Sequence, residues 1–424
     1  MQRRTFLVVG GRTLVTALAA AAGGPNLLFA RDRTPPSVVL EQRIADVLAA
    51  YDAQGNHRTG TSADNASAEW LARQVQQSGA EPDLEPFALN RVDPQSCHLR
   101  IADRRIDGVP LFDANFTDEE GVRGRLGPLG SDVDIGLAET QPLGVTEGFR
   151  AQAGPVAEAR RSRHKAVVLL TRGSHPGLFL LNAGSFAKPP IGPPTLQVSS
   201  VESGWLKEQA GQRAEATLVA HVSRTTAEAL NVTVKVAGSN PALAPLVFMA
   251  PRSGWWQCVS EQGSRLACWL EVIRVLAAGK PARDCFFVAL SGHELGLLGI
   301  DAYQKRRGDL VKRAHAWIFF GSDIGAPRQP NLIHASDEVL EQWIVRALEK
   351  EGLTVNAKTP YGAAARGEAR PVQQGGGRFV TLVCSSEVYH NAADRWPEAV
   401  DVATLARYAS ALANGALELA QQQG

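Results

Sequence analysis

The sequence predicts an α/β fold in which a mostly parallel sheet carries helices on both faces and a β-rich segment is inserted. After Asn231, apolar strand patterns alternate regularly with helical patterns, which is typical of parallel sheets covered on both faces. Between residues 97 and 223, short strands, frequent Gly and Pro and few helical periods indicate a separate β-rich module. We therefore expect a discontinuous α/β domain, 37–96 with 224–424, interrupted by 97–223.

The N-terminus has the features of an export signal. Gln2–Leu7 reads QRRTFL, a twin-arginine pattern, and the Ala-rich stretch Leu14–Ala22 and a plausible cleavage site at Leu28–Ala30 follow. An amphipathic first helix explains the segment less well, because the Ala-rich stretch has no polar face. We expect residues 1–30 to be a signal peptide that directs a folded protein to the periplasm or the exterior.

Charge and cysteine content exclude several classes of protein. The 44 basic and 43 acidic residues offer no basic surface for nucleic acid. After the N-terminus no apolar run is long enough to span a bilayer, so we expect a soluble mature protein without membrane association. The five cysteines are odd in number and lack metal-type spacing, which favours buried small hydrophobes over a disulfide framework. They are Cys97, Cys258, Cys268, Cys285 and Cys384.

The individual elements follow from the spacing of apolar residues. Helical spacing covers Val38–Tyr51 and Ala66–Gly79. Within the insertion, Lys165–Gly173 (KAVVLLTRG) predicts a buried strand, and we expect Val167–Leu170 to lie in a different sheet from Phe286–Leu290. The later elements are, in chain order, strands Asn231–Val236 and Leu246–Ala250, helix Leu266–Ala278, strand Cys285–Ser291, helix Leu295–Lys305, strands Ala314–Phe320 and Asn331–His334, helix Glu338–Glu351, strand Phe379–Cys384 and helix Val402–Gln421.

The chemically distinctive residues follow the ends of predicted strands. His293 and Glu294 come directly after one apolar strand, at the mouth of a helix, and place an imidazole beside a carboxylate. In open α/β sheets, ligands bind beyond the carboxyl ends of the strands. We therefore expect one pocket at this end of the sheet, formed by Arg252, Trp255, Trp256, Glu261, His293 and His390.

Other interpretations of these residues are possible. A zincin helix needs a second histidine at position 297, which is Leu297. Ser291 lacks the Gly-x-Ser-x-Gly context of a nucleophile elbow. His293 and Glu294 are also compatible with a simple helix cap, in which the helix dipole favours the carboxylate. The tryptophans either line a substrate pocket, the reading we favour, or pack against the inserted segment.

In order along the chain, several segments resemble metallopeptidase family 28, the secreted zinc aminopeptidases and their relatives, which include glutaminyl cyclases. The segments are HRTGTSADNASAEWLARQVQQSG (57–79), Asn231–Gly238, the helix containing Leu270-Glu271, ALSGHELGLLG (289–299) and Tyr389–Asp394. Residues 97–223, with KAVVLLTRG and PPTLQVSS, resemble the protease-associated domain often inserted in this family. The resemblance implies a hydrolase that acts on a peptide or small amide substrate.

The departures from the family pattern define the expected site. The family binds two zinc ions through a His-x-Asp, a bridging Asp, a Glu-Glu pair, a further Asp and a late His. Here the His-x-Asp position reads Pro251-Arg252-Ser253, and the further Asp falls near Ser322 or Asp323. The resemblance then implies one zinc ion, held by Glu261, Glu294 and His390, with His293 in the place of the general base. It also leaves Arg252, Trp255 and Trp256 as candidate substrate-binding residues.

Three functional hypotheses remain at this point. The first is a mono-zinc hydrolase of peptide or amide bonds, in which zinc polarises the carbonyl and binds the attacking water. The second is a non-catalytic binding protein on a peptidase scaffold. The third is a metal-free hydrolase built from His293, Glu294 and the loop of Arg252 and Ser253. Bound zinc distinguishes the first hypothesis from the other two.

Overall fold

A computed structural model describes residues 36–140 and 154–423, so the predicted signal peptide lies outside the described residues. The helices are α1 (Pro36–Asp52), α2 (Ser62–Gln77), α3 (Gly154–Arg161), α4 (Ser203–Gly211), α5 (Ser264–Gly279), α6 (Leu298–Arg307), α7 (Leu310–Arg313), α8 (Glu338–Lys350), α9 (Ala369–Gln374) and α10 (Val402–Gln421). A 3₁₀ turn covers Ser200–Glu202 and a π-helical turn covers Val259–Gly263.

The strands form one long, mixed sheet. They are β1 (Pro82–Ile101), β2 (Arg104–Asp107), β3 (Val109–Pro110), β4 (Val122–Pro128), β5 (Ile135–Thr140), β6 (Ala166–Thr171), β7 (Thr195–Ser199), β8 (Glu215–Val236), β9 (Leu246–Pro251), β10 (Cys285–Leu290), β11 (Ala316–Phe320), β12 (Asn331–Ala335), β13 (Ala357–Lys358) and β14 (Phe379–Cys384). Their order is β13-β12-β14-β11-β9-β10-β8-β4-β5-β6-β7-β3, with β1 along β8 and β2 along β1.

The centre of the sheet is parallel, as predicted, because helices connect β9, β10, β11 and β14. Its flanking strands β8 and β12 run antiparallel to their neighbours β10 and β14. Along β9, Leu246 and Phe248 enter one core and Val247 and Met249 enter the other. Alternate side chains of a strand point to opposite faces, so both faces are buried under helices. The predicted α/β class is confirmed.

The expected separation of the inserted segment into its own sheet is wrong. Val167–Leu170 in β6 and Phe286–Leu290 in β10 belong to one hydrogen-bonded path, which runs through β8, β4 and β5. The physical reason is the sequence of β8, Glu215–Val236, which contains no Gly or Pro and continues as a single strand across the predicted boundary at 223/224. Each region nevertheless buries apolar side chains of its own, around Phe248 in one and around Leu170 in the other.

Two further expectations can be compared with the structure. All five cysteines are buried, and none is disulfide-bonded to another within the described chain, which confirms their assignment as small apolar residues. The helix after β10 begins at Leu298 and not at Leu295. Gly292, Gly296 and Leu297 have φ values of 89°, 86° and 72°, and such left-handed backbone is incompatible with a continuous helix. None of the described helices is long and apolar enough to cross a membrane.

Candidate functional site

Four buried side chains meet beyond the carboxyl ends of the central strands, and we call them the histidine cluster: Glu261, His293, Glu368 and His390. None is more than 5% exposed. His293 Nδ1 lies 2.8 Å from Glu368 Oε1, and His293 Nε2 lies 3.9 Å from Glu261 Oε1. His390 Nε2 lies 3.4 Å from the same oxygen of Glu261. The cluster therefore joins two imidazoles and two carboxylates away from bulk water.

Local backbone geometry holds this cluster in place. Glu261 lies in the π-helical turn before α5, and the Asp394 carboxylate accepts hydrogen bonds from the N–H groups of Ser260 and Glu261, at 2.6 and 3.0 Å. His390 has a φ of 62° and its Nδ1 lies 2.6 Å from the Leu180 carbonyl oxygen. Single π turns and left-handed non-glycine residues are concentrated at functional sites.

The buried acidic groups of this region have pKa values shifted in opposite directions. Burial raises the pKa of Glu261, but His390, His293 and Arg265 outweigh burial and bring it to about 2. Burial, together with the negative charge of Glu261, raises the pKa of Asp323 to about 7. For His293, burial lowers the pKa, and the Glu368 carboxylate outweighs burial and raises it. Neighbouring groups with opposed pKa shifts are a recurrent feature of acid–base sites.

A second set of buried polar residues, the Glu294 cluster, lies beside the first: Thr59, Asp64, Arg252, Ser253, Ser291 and Glu294. Glu294 accepts hydrogen bonds from the N–H and Oγ1 of Thr59, both at 2.7 Å, and from Ser253 Oγ at 2.7 Å. Arg252 Nη1 forms an ion pair of 2.7 Å with Asp64, and both side chains are fully buried. Asp64 also accepts hydrogen bonds from Ser291 Oγ and the Gly60 N–H.

The predicted zinc ligands are not assembled as a set. Glu261 and His390 do face each other, but both carboxylate oxygens of Glu294 are engaged by Thr59 and Ser253. Within 36–140 and 154–423, no group of three or more His, Cys, Asp or Glu side chains is placed to hold a metal ion. A catalytic zinc site takes three protein ligands, so the donors present here do not fit the expected ion.

The three candidate substrate-binding residues do not share the pocket expected for them. Arg252 is buried in its ion pair and donates to the Leu230 carbonyl, which leaves it inside the protein. Trp255 packs against Phe112, with ring centroids 4.8 Å apart, and its indole N–H donates to Asn182. This is the packing alternative, because both partners belong to the 97–223 segment. Trp256 is half-buried and its indole N–H donates to the carbonyl oxygen of His390 at 3.1 Å.

Two residues of the site, Glu368 and Arg265, are not predicted from the sequence. Glu368 holds His293 across 75 positions of sequence from the loop before α9. No local pattern marks a carboxylate in such a loop. Arg265 is a buried arginine near the start of α5. The helical spacing of the sequence does not indicate that its side chain is buried at the site. Its presence among core positions was the one available signal, since arginine is rarely buried without a specific partner.

A small cavity of about 70 Å³ opens beside the histidine cluster. His293, Arg265 and Tyr389 line it together with residues of β11, β12 and β14 and of the loops that follow β11 and β13 and precede α9. Because His293 belongs to both, the cavity adjoins the histidine cluster.

Comparison with known proteins shows the fold and a family match over part of the chain. Residues 258–416 match the model described as Peptidase family M28. The zinc aminopeptidase BSAP from Bacillus subtilis has a TM-score of 0.72 and 18% identity, over 92% of this chain and 97% of that chain. A Peptidase M28 precursor from Shewanella amazonensis SB2B gives 0.73 and 17%, over 92% and 96%. The aminopeptidase from Aneurinibacillus sp. strain AM-1 gives 0.67 and 15%, over 91% and 94%. No curated protein matches the chain.

Proposed function

Because residues 258–416 match the model of Peptidase family M28 and the fold matches solved structures named as a zinc aminopeptidase and a Peptidase M28 precursor, we propose that the protein hydrolyses peptide or amide bonds. The proposed reacting groups are those of the histidine cluster. The proposed place of action is the periplasm or the exterior, and this part rests on the twin-arginine pattern of residues 1–30.

The observation that carries the proposal is a set of unsatisfied atoms inside the histidine cluster. Glu261 Oε2, Glu368 Oε2 and His390 Nε2 are buried, and none has a hydrogen-bond partner among the residues that the structure describes. Buried polar groups in proteins are nearly always paired, and each exception calls for an explanation. Three such atoms in one cluster are explained by a site that takes up water and substrate.

His293 is the proposed group that transfers protons. Glu368 accepts the Nδ1–H of His293 at 2.8 Å and fixes the ring, so Nε2 faces Glu261. The 3.9 Å between His293 Nε2 and Glu261 Oε1 is too long for a direct hydrogen bond and suits a bridging water. Neutral Nε2 takes a proton from this water while its oxygen bonds to the substrate carbonyl carbon. The same proton then passes to the leaving nitrogen as the C–N bond breaks.

The proposed reaction does not involve zinc. Relatives with this fold are named as zinc aminopeptidases, and a single Zn²⁺ at Glu261, Glu294 and His390 is what the sequence resemblance implies. The donor set does not fit, since Thr59 and Ser253 already donate to both oxygens of Glu294 and no three ligand side chains within the described residues are placed around one point. The proton transfers described above need only His293, Glu368 and Glu261.

A second candidate function is binding without catalysis, and one observation favours it. Arg252 lies at the position that corresponds to the family's His-x-Asp, and its buried ion pair with Asp64 of α2 makes it a fixed structural element there. A binding protein would retain the cavity and the fold but show no turnover.

The test uses purified mature protein, a library of peptides and amides analysed by mass spectrometry, and elemental analysis for zinc. We expect turnover in the wild type without stoichiometric zinc. His293→Gln should lower kcat by about 100-fold or more, the usual contribution of a general base, and Glu368→Gln should lower it less. His315→Gln is the matched control, because His315 precedes β11 at the opposite end of the strand from the site.

Each other outcome has a defined meaning. Turnover that requires one zinc per chain, lost in Glu261→Gln and His390→Gln, would establish the metal-dependent mechanism in place of ours. A folded wild-type protein that cleaves nothing in the library would support the binding function.

A further inference from the structure

The cavity beside His293 has a polar lining that the proposed chemistry does not use. Arg265 Nη1, His334 Nε2 and Thr381 Oγ1 belong to residues that line it, and all three atoms are buried. Within the described part of the chain, none of the three has a hydrogen-bond partner. Arg265 is 1% exposed, and His334 and Thr381 are each 7% exposed. Three unpaired atoms around one cavity point to a ligand, because an unmade buried hydrogen bond is costly.

The sheet places these atoms together. His334 in β12 and Thr381 in β14 are directly opposite each other in an antiparallel pair, so their side chains lie on the same face. Arg265 approaches from α5. Its Nε donates to the Glu261 carbonyl at 2.7 Å and its guanidinium carbon lies 5.8 Å from the Phe319 ring centre. These contacts fix the guanidinium, and its Nη1 has no hydrogen-bond partner within the described chain.

The lining residues themselves carry positive charge, and the carboxylates of Glu368 and Glu261 lie outside the lining, next to His293 and near Arg265. Two guanidinium groups, of Arg265 and Arg366, contribute this charge, and among the described lining residues there is no carboxylate. Burial, followed by the positive charge of Arg366, lowers the pKa of His334, so this imidazole is neutral at pH 7. The lining therefore offers a guanidinium N–H, a hydroxyl and a neutral imidazole. A carboxylate matches guanidinium geometry and charge better than a neutral group does.

We infer that this cavity binds a carboxylate of the substrate, so that the enzyme prefers an acidic residue next to the cleaved bond. A water needs about 10–15 Å³ of such volume, so about 70 Å³ accommodates roughly five non-hydrogen atoms, as in the side chain of Asp or Glu. His293 lines the same cavity, which places the carboxylate beside the reacting bond. The substrate preference rests on the proposed function, whereas carboxylate binding by the cavity does not.

The binding experiment measures the affinity of the mature protein for succinate by calorimetry, with succinamide as the neutral analogue of equal size. We expect succinate to bind at least about tenfold more tightly than succinamide, since a carboxylate–guanidinium pair is a charge-assisted interaction. Thr381→Val removes one hydroxyl without changing shape and should weaken succinate binding severalfold at unchanged Tm. Arg265→Lys should weaken it further, because lysine lacks the planar fork. Arg346→Gln, an exposed arginine of α8, is the control.

The kinetic experiment compares kcat/KM for amides of Asp, Glu, Asn, Gln and Leu. Preference for Asp or Glu that falls in Thr381→Val supports the inference. Hydrolysis without acidic preference, together with no succinate binding, would overturn the inference and leave the proposed function intact. Succinate binding without any hydrolysis would keep the cavity assignment and overturn the proposed function. Inorganic phosphate that binds more tightly than succinate would overturn the assignment to a carboxylate.

Discussion

The histidine cluster and the Glu294 cluster lie side by side, are both buried and include consecutive residues, His293 and Glu294, yet the hydrogen bonding of their carboxylates differs. In the Glu294 cluster both carboxylates receive donors on both oxygens, at 2.7–2.8 Å. In the histidine cluster, Glu261 Oε2 and Glu368 Oε2 have none within the described chain. The Glu294 cluster, whose carboxylates are paired on both oxygens, has the properties of a structural element, and the histidine cluster keeps unpaired acceptor atoms that a substrate or water can use.

This contrast also separates the roles of two adjacent side chains that family resemblance assigns to one metal-centred site. His293 contacts Glu368 and faces Glu261. Glu294 instead ties the loop after β10 to Thr59, far away in the sequence, and to Ser253. We therefore expect substitutions in the two clusters to change different measured quantities.

The largest expected effect is on stability, in the Glu294 cluster. Arg252→Met leaves the Asp64 carboxylate buried without its partner, and breaking a buried ion pair in this way costs about 3–5 kcal/mol. Urea denaturation at pH 7 measures the loss. The double variant Arg252→Met/Asp64→Asn removes both charges and should recover part of it. A change below about 1 kcal/mol in the single variant would show that the pair is not structural.

The next effect compares one glutamate from each cluster. Glu261→Gln should lower kcat by about 100-fold while the protein stays folded, because the water-positioning carboxylate is lost. Glu294→Gln should reduce the free energy of unfolding by about 1–3 kcal/mol, because the new NH₂ group opposes a hydroxyl or N–H donor, and should leave kcat nearly unchanged. Loss of kcat in both variants at equal stability would contradict the division of roles.

The elements of the central sheet are predictable from the sequence because the signals for them are local. Helix α5 was predicted over Leu266–Ala278 and spans Ser264–Gly279, since its apolar spacing and flanking strands are read within a short window. The continuity of β8 into the inserted segment depends on pairing with β1 and β4, which no window contains. Strand direction at the sheet edges depends on the same long-range pairing.

The site was only partly predictable for a related reason. The residue types at Glu261, His293 and His390 and their places after strands were visible in the sequence, and the structure brings them together. The partner of Glu294 was not visible, because Thr59 lies 235 positions away. Whether a carboxylate is saturated or open depends on such distant donors, so the sequence alone does not distinguish a metal ligand from a structural glutamate.

A smaller effect distinguishes the clusters: their contributions to the free energy of unfolding change in opposite directions with pH. The pKa of Glu261 is lowered from 4.5 to about 2, so its stabilising contribution is fully present above pH 4.5 and disappears as pH falls toward 2. Burial raises the pKa of Glu294, so its ionised form is disfavoured in the folded state and wild type should gain stability relative to Glu294→Gln as pH falls. Urea denaturation of wild type, Glu261→Gln and Glu294→Gln between pH 3 and 7 measures both trends. Parallel trends in the two variants would contradict the comparison.

The smallest expected effect concerns Trp255 and Trp256, which the sequence places next to each other and for which one shared role is expected. The indole N–H of Trp256 donates to the His390 carbonyl at 3.1 Å, whereas that of Trp255 donates to Asn182 in the 97–223 segment. Phenylalanine keeps most of the packing and removes only the N–H donor, which costs the free energy of one hydrogen bond, about 0.5–1.5 kcal/mol.

In Trp256→Phe the lost hydrogen bond is the one that positions His390, so kcat should decrease by about 2–10-fold with little change in KM. In Trp255→Phe the lost hydrogen bond is the one between the α/β domain and the 97–223 segment, so Tm should decrease while kcat stays the same. Steady-state kinetics and thermal denaturation of both variants measure the split, and a lower kcat in Trp255→Phe at unchanged Tm would show that this tryptophan also supports the site.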